Sequence, residues 1–283
     1  MFGFLNVYKP VGKTSHDVVS VLRRVTKIKQ IGHTGTLDPF AEGVLPICIG
    51  KATRLIEYLS DDKAYIATVQ LGISTDTYDI EGEIVKKSDK KVSVEEIESA
   101  LSKYRGEIEQ YPPKYSAIKV NGKKLYDYAR AGLEVEIKPR KVSITELKIF
   151  DFDEKKQILE LYIACSKGTY IRSIANDLGE DLDTGAHLIK LVRVKAGEFK
   201  LENSVKLEKL STIEDVDKNI IEPLNYLSFP KYSLKDDEKI KISNGNPIGI
   251  NAKNEIIILT YENKIAAIGE VKNNIFKCQK VFL

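Results

Sequence analysis

Residues 32–46 read GHTGTLDPFAEGVLP, and they form the most informative stretch of the chain. Glycines and prolines interrupt any periodicity from residue 31 to residue 46, which predicts an irregular loop rather than a helix or strand. Loops of that length inside a compact domain are typically functional. Asp38, directly before Pro39, could be an ordinary turn former, but the density of special residues around it favours a chemical role. Neither phosphate-cradling pattern, GxxxxGK[ST] or GxGxxG, is present.

Regular elements are predicted on both sides of this loop. Upstream, Thr14 and Ser15 can cap a helix whose valines and leucine recur at helical spacing. Downstream, residues 63–71 alternate as a strand requires, and a second strand at residues 81–85 is expected to pair with it. A capping box, Ser93-x-x-Glu96, starts the clearest helix.

Further along, a strand is predicted over residues 157–165 and a helix over residues 170–182. Arg172 falls off the apolar stripe of that helix. Residues 112–141 are strongly basic, with a hairpin turn at residues 121–122 and tyrosines among the lysines and arginines. After residue 229 the pattern becomes short and β-like, with strands expected at residues 240–242, 255–260 and 264–271. The layout predicts an α+β fold, with helices around a central, mainly antiparallel mixed sheet, and a domain boundary near Phe229-Pro230.

Composition excludes several classes of protein. Hydrophobic residues make up 42% and charged residues 30% of the 283-residue chain, which is ordinary for a globular protein and argues against a coiled coil or disorder. No apolar run could span a bilayer, and the first residues do not resemble a signal peptide. We therefore expect a cytoplasmic protein without membrane contact.

Three cysteines lie far apart and three histidines show no metal-ligand spacing, so free thiols and no metal or cofactor are expected. A formal charge of +3 neither demands nor excludes nucleic acid, because phosphate binding depends on how cations cluster.

Six segments resemble, in the family's order, motifs of the TruB family of tRNA pseudouridine synthases. They are residues 6–15, the loop at residues 32–46, KAY at 63–65, PPKYSA at 112–117, LYDYAR at 125–130 and KGTYIR at 167–172. The match extends from about residue 4 to residue 224. The resemblance implies a pseudouridine synthase catalytic domain over residues 1–229, with a basic thumb segment at residues 112–141. It also implies a short PUA-like RNA-binding domain over residues 230–283.

Carried over by resemblance, Asp38 is the catalytic aspartate of the GTLDP motif. A carboxylate can attack or stabilise an electron-poor sugar or base centre. Whether Asp38 attacks C1′, adds to C6 or removes a sugar proton stays open. Arg172 matches the arginine that pairs with this carboxylate, a role suited to a permanently charged guanidinium. By pattern alone, Arg172 would lie on a solvated helix face.

The resemblance assigns five further residues. Tyr65 matches the tyrosine that stacks on the target base, and Leu191 the leucine packed against it, although each could be simple core. A uridine in a folded loop must be extruded, and His33 matches the histidine that fills the vacated stack. Tyr170 is assigned to the same wall as Arg172, and Lys9 to support of the active-site architecture.

The function implied is conversion of uridine 55 in the T loop of tRNA to pseudouridine by a monomer that needs no guide RNA. One alternative is a guide-RNA-dependent synthase, which would ordinarily carry additions at both ends for partner proteins. Another is a non-catalytic RNA-binding or tRNA-folding protein built on the same fold. The intact set of Asp38, Tyr65 and Arg172 argues against loss of chemistry.

Overall fold

A ten-stranded mixed sheet forms the centre of the molecule, whose computed structural model describes residues 1–283. The strands before residue 229 are β1 (Gly3–Lys9), β2 (Ile31–His33), β3 (Glu42–Ile49), β4 (Lys63–Leu71), β5 (Ile73–Thr75), β6 (Ile84–Lys87), β7 (Gly106–Gln110), β8 (Lys119–Val120), β9 (Lys123–Lys124), β10 (Arg140–Asp153), β11 (Ile158–Cys165), β12 (Ala186–Ala196), β13 (Phe199–Lys200) and β14 (Val205–Lys206). All of them except β5, β6, β8 and β9 belong to the central sheet. The helices of this part are α1 (Ser15–Thr26), α2 (Val94–Leu101), α3 (Leu125–Arg130), α4 (Ile171–Asp181) and α5 (Ile213–Lys218).

The strand order in the central sheet is β14-β1-β3-β12-β4-β11-β10-β7, with β2 added to β3 and β13 to β12. Only the β1–β14 and β3–β12 pairs are parallel. The expected mainly antiparallel mixed sheet is therefore confirmed. One face packs against α2 and α4 through a core of 25 buried residues, and α1 covers a second core of 12 residues on β1 and β3.

A five-stranded sheet follows, built from β15 (Lys231–Ser233), β16 (Ile248–Gly249), β17 (Ile256–Tyr261), β18 (Lys264–Lys272) and β19 (Ile275–Val281). One helix, α6 (Asp236–Ser243), belongs to this part. None of the helices in the structure is long and apolar enough to cross a membrane.

Most of the predicted elements are confirmed. Thr14 caps the N-terminus of α1, because its hydroxyl accepts a hydrogen bond from the Asp17 amide at 3.0 Å. The predicted capping box of α2 is also present: the Ser93 hydroxyl accepts from the Glu96 amide, and the Glu96 carboxylate accepts from the Ser93 amide. Asn121 and Gly122 both have positive φ and form the tight turn between β8 and β9. The predicted strands and helix at β4, β11 and α4 are also present.

Three predictions about elements are wrong. The segment at residues 31–46 is not wholly irregular, since it begins in β2 and ends in β3, which pairs with β1 over seven residues. Residues 34–41, here called the Asp38 loop, are the irregular part. The strand after residue 81 is β6, and it pairs with β5 instead of β4 because both edges of β4 are occupied by β11 and β12.

Residues 240–242 are helical and belong to α6. Three acidic residues form the first turn of this helix, where they complement the helix dipole, and Glu238 accepts a hydrogen bond from the Lys235 amide at 2.9 Å. The helix ends at Asn244 and Gly245, and Gly245 has φ 75°.

Candidate active site

A cavity of about 450 Å³ opens where the Asp38 loop, the start of β4 and the N-terminus of α4 meet. Five of the residues singled out from the sequence line it together: Asp38, Tyr65, Tyr170, Arg172 and Leu191. The thumb segment, residues 112–141, adds one wall through Tyr115, Ser116, Ala117 and Tyr126. The volume falls within the range of small-molecule sites and suits a single nucleoside.

Arg172 is the buried centre of this site, not part of a solvated helix face. Its side chain is 5% exposed, and its Nε lies 3.0 Å from Oδ2 of Asp38. This contact is an ion pair without the alignment of a hydrogen bond. The Nη1 atom donates to Asp79 Oδ2 and to the Thr77 carbonyl, each at 3.1 Å, and Nη2 donates to the Tyr115 carbonyl at 3.0 Å.

Asp38 has the environment of a reactive carboxylate. Its side chain is 37% exposed and lines the cavity, while protein surrounds it on the other sides. Burial raises the pKa of Asp38, and the positive charge of Arg172 opposes that rise. The loop position of Asp38 is held by Ser15, whose hydroxyl accepts from the Leu37 amide at 2.8 Å and donates to the Leu37 carbonyl at 3.2 Å.

Neighbouring strands supply Tyr65 and Leu191. Tyr65 lies on β4, is 7% exposed, and has its pKa raised by burial. Leu191 lies on β12, opposite Ala67 of β4, and is 5% exposed. A flat ring and a branched aliphatic side chain on adjacent strands can form the apolar walls of a base-binding slot.

Tyr170 directly precedes α4 and is fixed by a buried amide side chain. Its backbone N–H donates to Gln110 Oε1 at 2.7 Å, and Gln110 Nε2 donates to the Tyr170 carbonyl at 3.0 Å. This reciprocal pair joins α4 to β7, the edge strand from which the thumb segment departs. The position of Tyr170 is consequently tied to the base of the thumb.

Lys9 and His33 do not line the cavity. Lys9 is fully buried, and its Nζ donates to the carbonyls of Pro10, Lys13 and Pro39 at 2.9, 2.5 and 3.3 Å. Burial lowers the pKa of Lys9 to about 8, against the opposing effect of Asp38. His33 ends β2 with its Nδ1 buried and without a hydrogen-bond partner.

Asp79 was missed in the sequence. It lies in the turn between β5 and β6, is 3% exposed, and accepts hydrogen bonds from the Thr77 hydroxyl and the Glu81 amide at 2.6 and 3.0 Å. An aspartate that bonds an amide two residues on looks like any Asx turn. Only the approach of Arg172 from α4 distinguishes it.

No group of three or more His, Cys, Asp or Glu side chains is arranged to hold a metal ion. The chemistry available to the site is that of a carboxylate beside a guanidinium, next to an apolar slot.

Comparison with known proteins assigns the chain to a family. Residues 23–171 match the family model described as TruB family pseudouridylate synthase (N terminal domain), and residues 172–227 match the tRNA pseudouridylate synthase B C-terminal domain. The chain belongs to the TruB family of pseudouridylate synthases. It is thus an isomerase, and the non-catalytic alternative is not favoured.

Curated relatives of this TruB-family chain are named tRNA pseudouridine synthase B. The protein of Carboxydothermus hydrogenoformans is 43% identical over 100% of this chain and 99% of the relative. That of Clostridioides difficile is 49% identical over 86% of this chain and 83% of its own length.

Solved structures share the fold. The chain aligns with one from a Cbf5-Nop10-Gar1 complex at a TM-score of 0.75 and 24% identity, covering 100% of this chain and 85% of the other. It also aligns with one from an archaeal box H/ACA sRNP Nop10-Cbf5 complex at 0.71 and 23%, covering 99% and 86%. The pseudouridine synthase architecture expected from the sequence is confirmed.

Proposed function

We propose that this enzyme is a tRNA pseudouridine(55) synthase in which Asp38 acts on a uridine flipped out of the T loop. The observation that carries the proposal is the Asp38 carboxylate, 3.0 Å from the Arg172 Nε in a cavity also lined by Tyr65 and Leu191. The name tRNA pseudouridine synthase B, carried by relatives 43% and 49% identical to this chain, supports tRNA as substrate.

The overall reaction breaks the C1′–N1 bond of uridine and forms a C1′–C5 bond. The proton on C5 leaves and N1 gains a proton, so the base is isomerised without any change of oxidation state. In this proposal Asp38 is the group that acts on the sugar or base. Arg172 keeps the carboxylate ionised and directed at the reacting centre. Tyr65 and Leu191 hold the base between them while it turns.

Tyr170 extends the wall beside Arg172, and Lys9 supports the loop that carries Asp38 through the Pro39 carbonyl. His33 lies just before the Asp38 loop and outside the cavity, a position compatible with filling the space that the extruded base leaves in the RNA. The proposal requires no metal or cofactor, because a redox-neutral isomerisation can be carried by a carboxylate alone.

We also propose that the enzyme works without guide RNA, as a cytoplasmic monomer. Full-length identity of 43% to a protein named tRNA pseudouridine synthase B favours this over the guide-dependent alternative, since the chain from the box H/ACA sRNP Nop10-Cbf5 complex shares only 23% identity. Residues 1–229 would form the catalytic domain, with the thumb segment closing over the T loop. Residues 230–283 would form a short PUA-like RNA-binding module.

The decisive experiment is Asp38→Asn, assayed in single turnover with unmodified T-arm RNA and the protein alone. We expect pseudouridine formation to be abolished while RNA affinity stays within about tenfold of wild type, because the carboxylate acts on the reaction rather than on the phosphates. Asp89→Asn, an exposed aspartate before α2, is the matched control. Substantial turnover by Asp38→Asn would contradict the assignment of Asp38.

A further inference from the structure

Arg193 is a fully buried cation without a carboxylate partner. It lies on β12, two residues after Leu191, with none of its side chain exposed to solvent. Arg172, by contrast, has two carboxylates within ion-pair distance. A buried guanidinium must recover its lost hydration through hydrogen bonds, and Arg193 donates to three backbone carbonyls.

Two of those carbonyls belong to the loop that carries Asp38. Arg193 Nη2 donates to the Gly35 carbonyl at 3.1 Å, and Nη1 reaches the Thr36 carbonyl at 3.4 Å. Nε donates to the Val44 carbonyl at 2.7 Å, in the strand that follows the loop. A single planar guanidinium therefore spans the start of the Asp38 loop and the strand to which the loop returns.

The backbone around Arg193 is shaped for this contact. Arg193 pairs with Tyr65 of β4 on one side and with Gly43 of β3 on the other. Gly43 has φ 106°, and a Cβ at this position would lie 2.4 Å from the Arg193 carbonyl oxygen. Only glycine allows the two strands to approach so closely. The same register places Arg193 beside Tyr65, a wall of the cavity.

The titratable groups facing Arg193 do not neutralise its charge. Lys63 and Tyr65 face it from β4, Lys9 from β1 and His33 from β2. Burial lowers the pKa of Lys63, and the charge of Arg193 lowers it further. The hydrogen bonds of Arg193 therefore go to the backbone of residues 35, 36 and 44, on both sides of Asp38 in sequence.

We propose that Arg193 is a positioning residue for the isomerisation: it fixes the Gly35 and Thr36 carbonyls so that Asp38 is aligned with Arg172 and the bound base. The inference rests on the proposed role of Asp38. Lys9 contacts the same loop directly after Asp38, through the Pro39 carbonyl, so buried cations contact the loop on both sides of Asp38. Arg193 does not line the cavity and is expected to act on the rate, not on RNA binding.

The first test is Arg193→Met, which keeps an unbranched buried side chain and removes the donors. We expect the single-turnover rate to fall about 100-fold, the loss typical of a misplacement near 1 Å, with RNA affinity within about threefold of wild type. Hydrogen exchange of peptides covering residues 34–41 should become faster, while that of the C-terminal sheet stays unchanged. Arg54→Met is the control, because Arg54 donates to the carbonyl of Val281 in β19 and not to a carbonyl of the Asp38 loop.

The second test is Arg193→Lys, which restores a charge whose ionisation depends on pH. A buried lysine has a lowered pKa, whereas arginine remains protonated. The ratio of variant to wild-type rate should therefore fall as the pH rises from about 6 to about 10, and at low pH the variant should exceed Arg193→Met. Taking the ratio removes the titration of groups common to both proteins, such as Asp38.

The outcomes separate this inference from the assignment of Asp38. An inactive Asp38→Asn beside an Arg193→Met that turns over within about twofold of wild type would overturn the role of Arg193 alone. An active Asp38→Asn would overturn the proposed function instead. If Arg193→Met does not fold, the pH dependence of Arg193→Lys becomes the deciding test. A ratio of variant to wild-type rate that does not change with pH would contradict the proposal. Failure of both variants to fold would show that Arg193 serves the fold, and the proposal would be wrong.

Discussion

Arg172 lies between two carboxylates, Asp38 and Asp79, and this arrangement sets the charge of the site. Asp79 is 4% exposed at its side chain and accepts a hydrogen bond from Nη1, while Nε lies at ion-pair distance from Asp38. The planar fork of a guanidinium can meet both acids and two carbonyls at once, whereas an ammonium is a point donor. The geometry, and not only the charge, therefore makes arginine the suitable residue.

From this geometry we expect Arg172→Lys to lower the single-turnover rate by on the order of 100-fold, because the lysine keeps the charge but cannot hold Asp38 and Asp79 together. Arg105→Lys is the matched control, since Arg105 contacts Glu98 at 2.6 Å on the exposed surface. If Arg172→Lys turns over at a rate close to that of wild type, the simultaneous contacts of Arg172 with Asp38 and Asp79 have no part in the reaction.

The residues of the site were predictable to the extent that they lie in local motifs. Asp38 and Arg172 each lie in a short recognisable segment, and the structure brings them to 3.0 Å. The burial of Arg172 was not predictable from helical periodicity, because its partners come from the β5–β6 turn and the thumb segment. Asp79 has no motif of its own, and its role depends on a contact across 93 residues of sequence.

At the scale of elements, the long periodic segments were the predictable ones. β4 alternates over nine residues and α4 carries an apolar face, so each is specified locally. β3 was hidden by Pro46, which occupies the interior of the strand opposite Asn6 and is ordinarily a sign against a strand. The partner of β6 could not be read from the sequence, since it depended on which strands already flanked β4.

The thumb segment carries its cations close to the cavity. Lys123 lies 5.0 Å from the ring of Tyr128, while Lys124 and Arg130 lie 5.1 and 5.4 Å from the ring of Tyr126. Tyr126 also lines the cavity. Cations interleaved with aromatic rings suit an RNA loop, whose phosphates and unstacked bases need both.

We expect removal of Lys119, Lys123, Lys124 and Arg130 to weaken tRNA binding and to reduce the slope of log affinity against log salt by roughly 0.7 to 0.9 per lost phosphate contact. The control variant replaces four exposed lysines near the C-terminal end of β4, namely Lys87, Lys91, Lys155 and Lys156. It should reduce the salt slope less than the thumb variant does.

The thumb segment should also be cut by protease between residues 114 and 141 without RNA and protected when tRNA is added, because a segment that closes over a flipped base must open to admit it. If the thumb variant keeps the salt slope of wild type and tRNA does not change the cleavage pattern, the segment is a surface hairpin whose charges serve only solubility.

For the whole molecule, the important feature is a core shared across the predicted boundary at residue 229. Ile258, Ile265 and Ile268 of the C-terminal sheet pack in one cluster with residues of the catalytic part, including Phe4 and Leu55. A second cluster, around Phe276, lies within the C-terminal sheet. The sequence indicated where the pattern changes, but not that the two parts would bury apolar surface against each other.

This shared core predicts that the two parts unfold together. Ile268→Ala should destabilise the whole chain by about 2–5 kcal/mol, because a cavity opened at a fully buried position costs both transfer and packing energy. Calorimetry should show one transition moved to lower temperature, not a new early transition confined to residues 230–283. Ile240→Ala is the matched control: Ile240 is 63% exposed on α6, so its loss should change stability by no more than about 0.5 kcal/mol. Two separate transitions, with only the smaller one shifted by Ile268→Ala, would mean that the C-terminal module folds independently and that the shared cluster contributes little to the cooperativity of the chain.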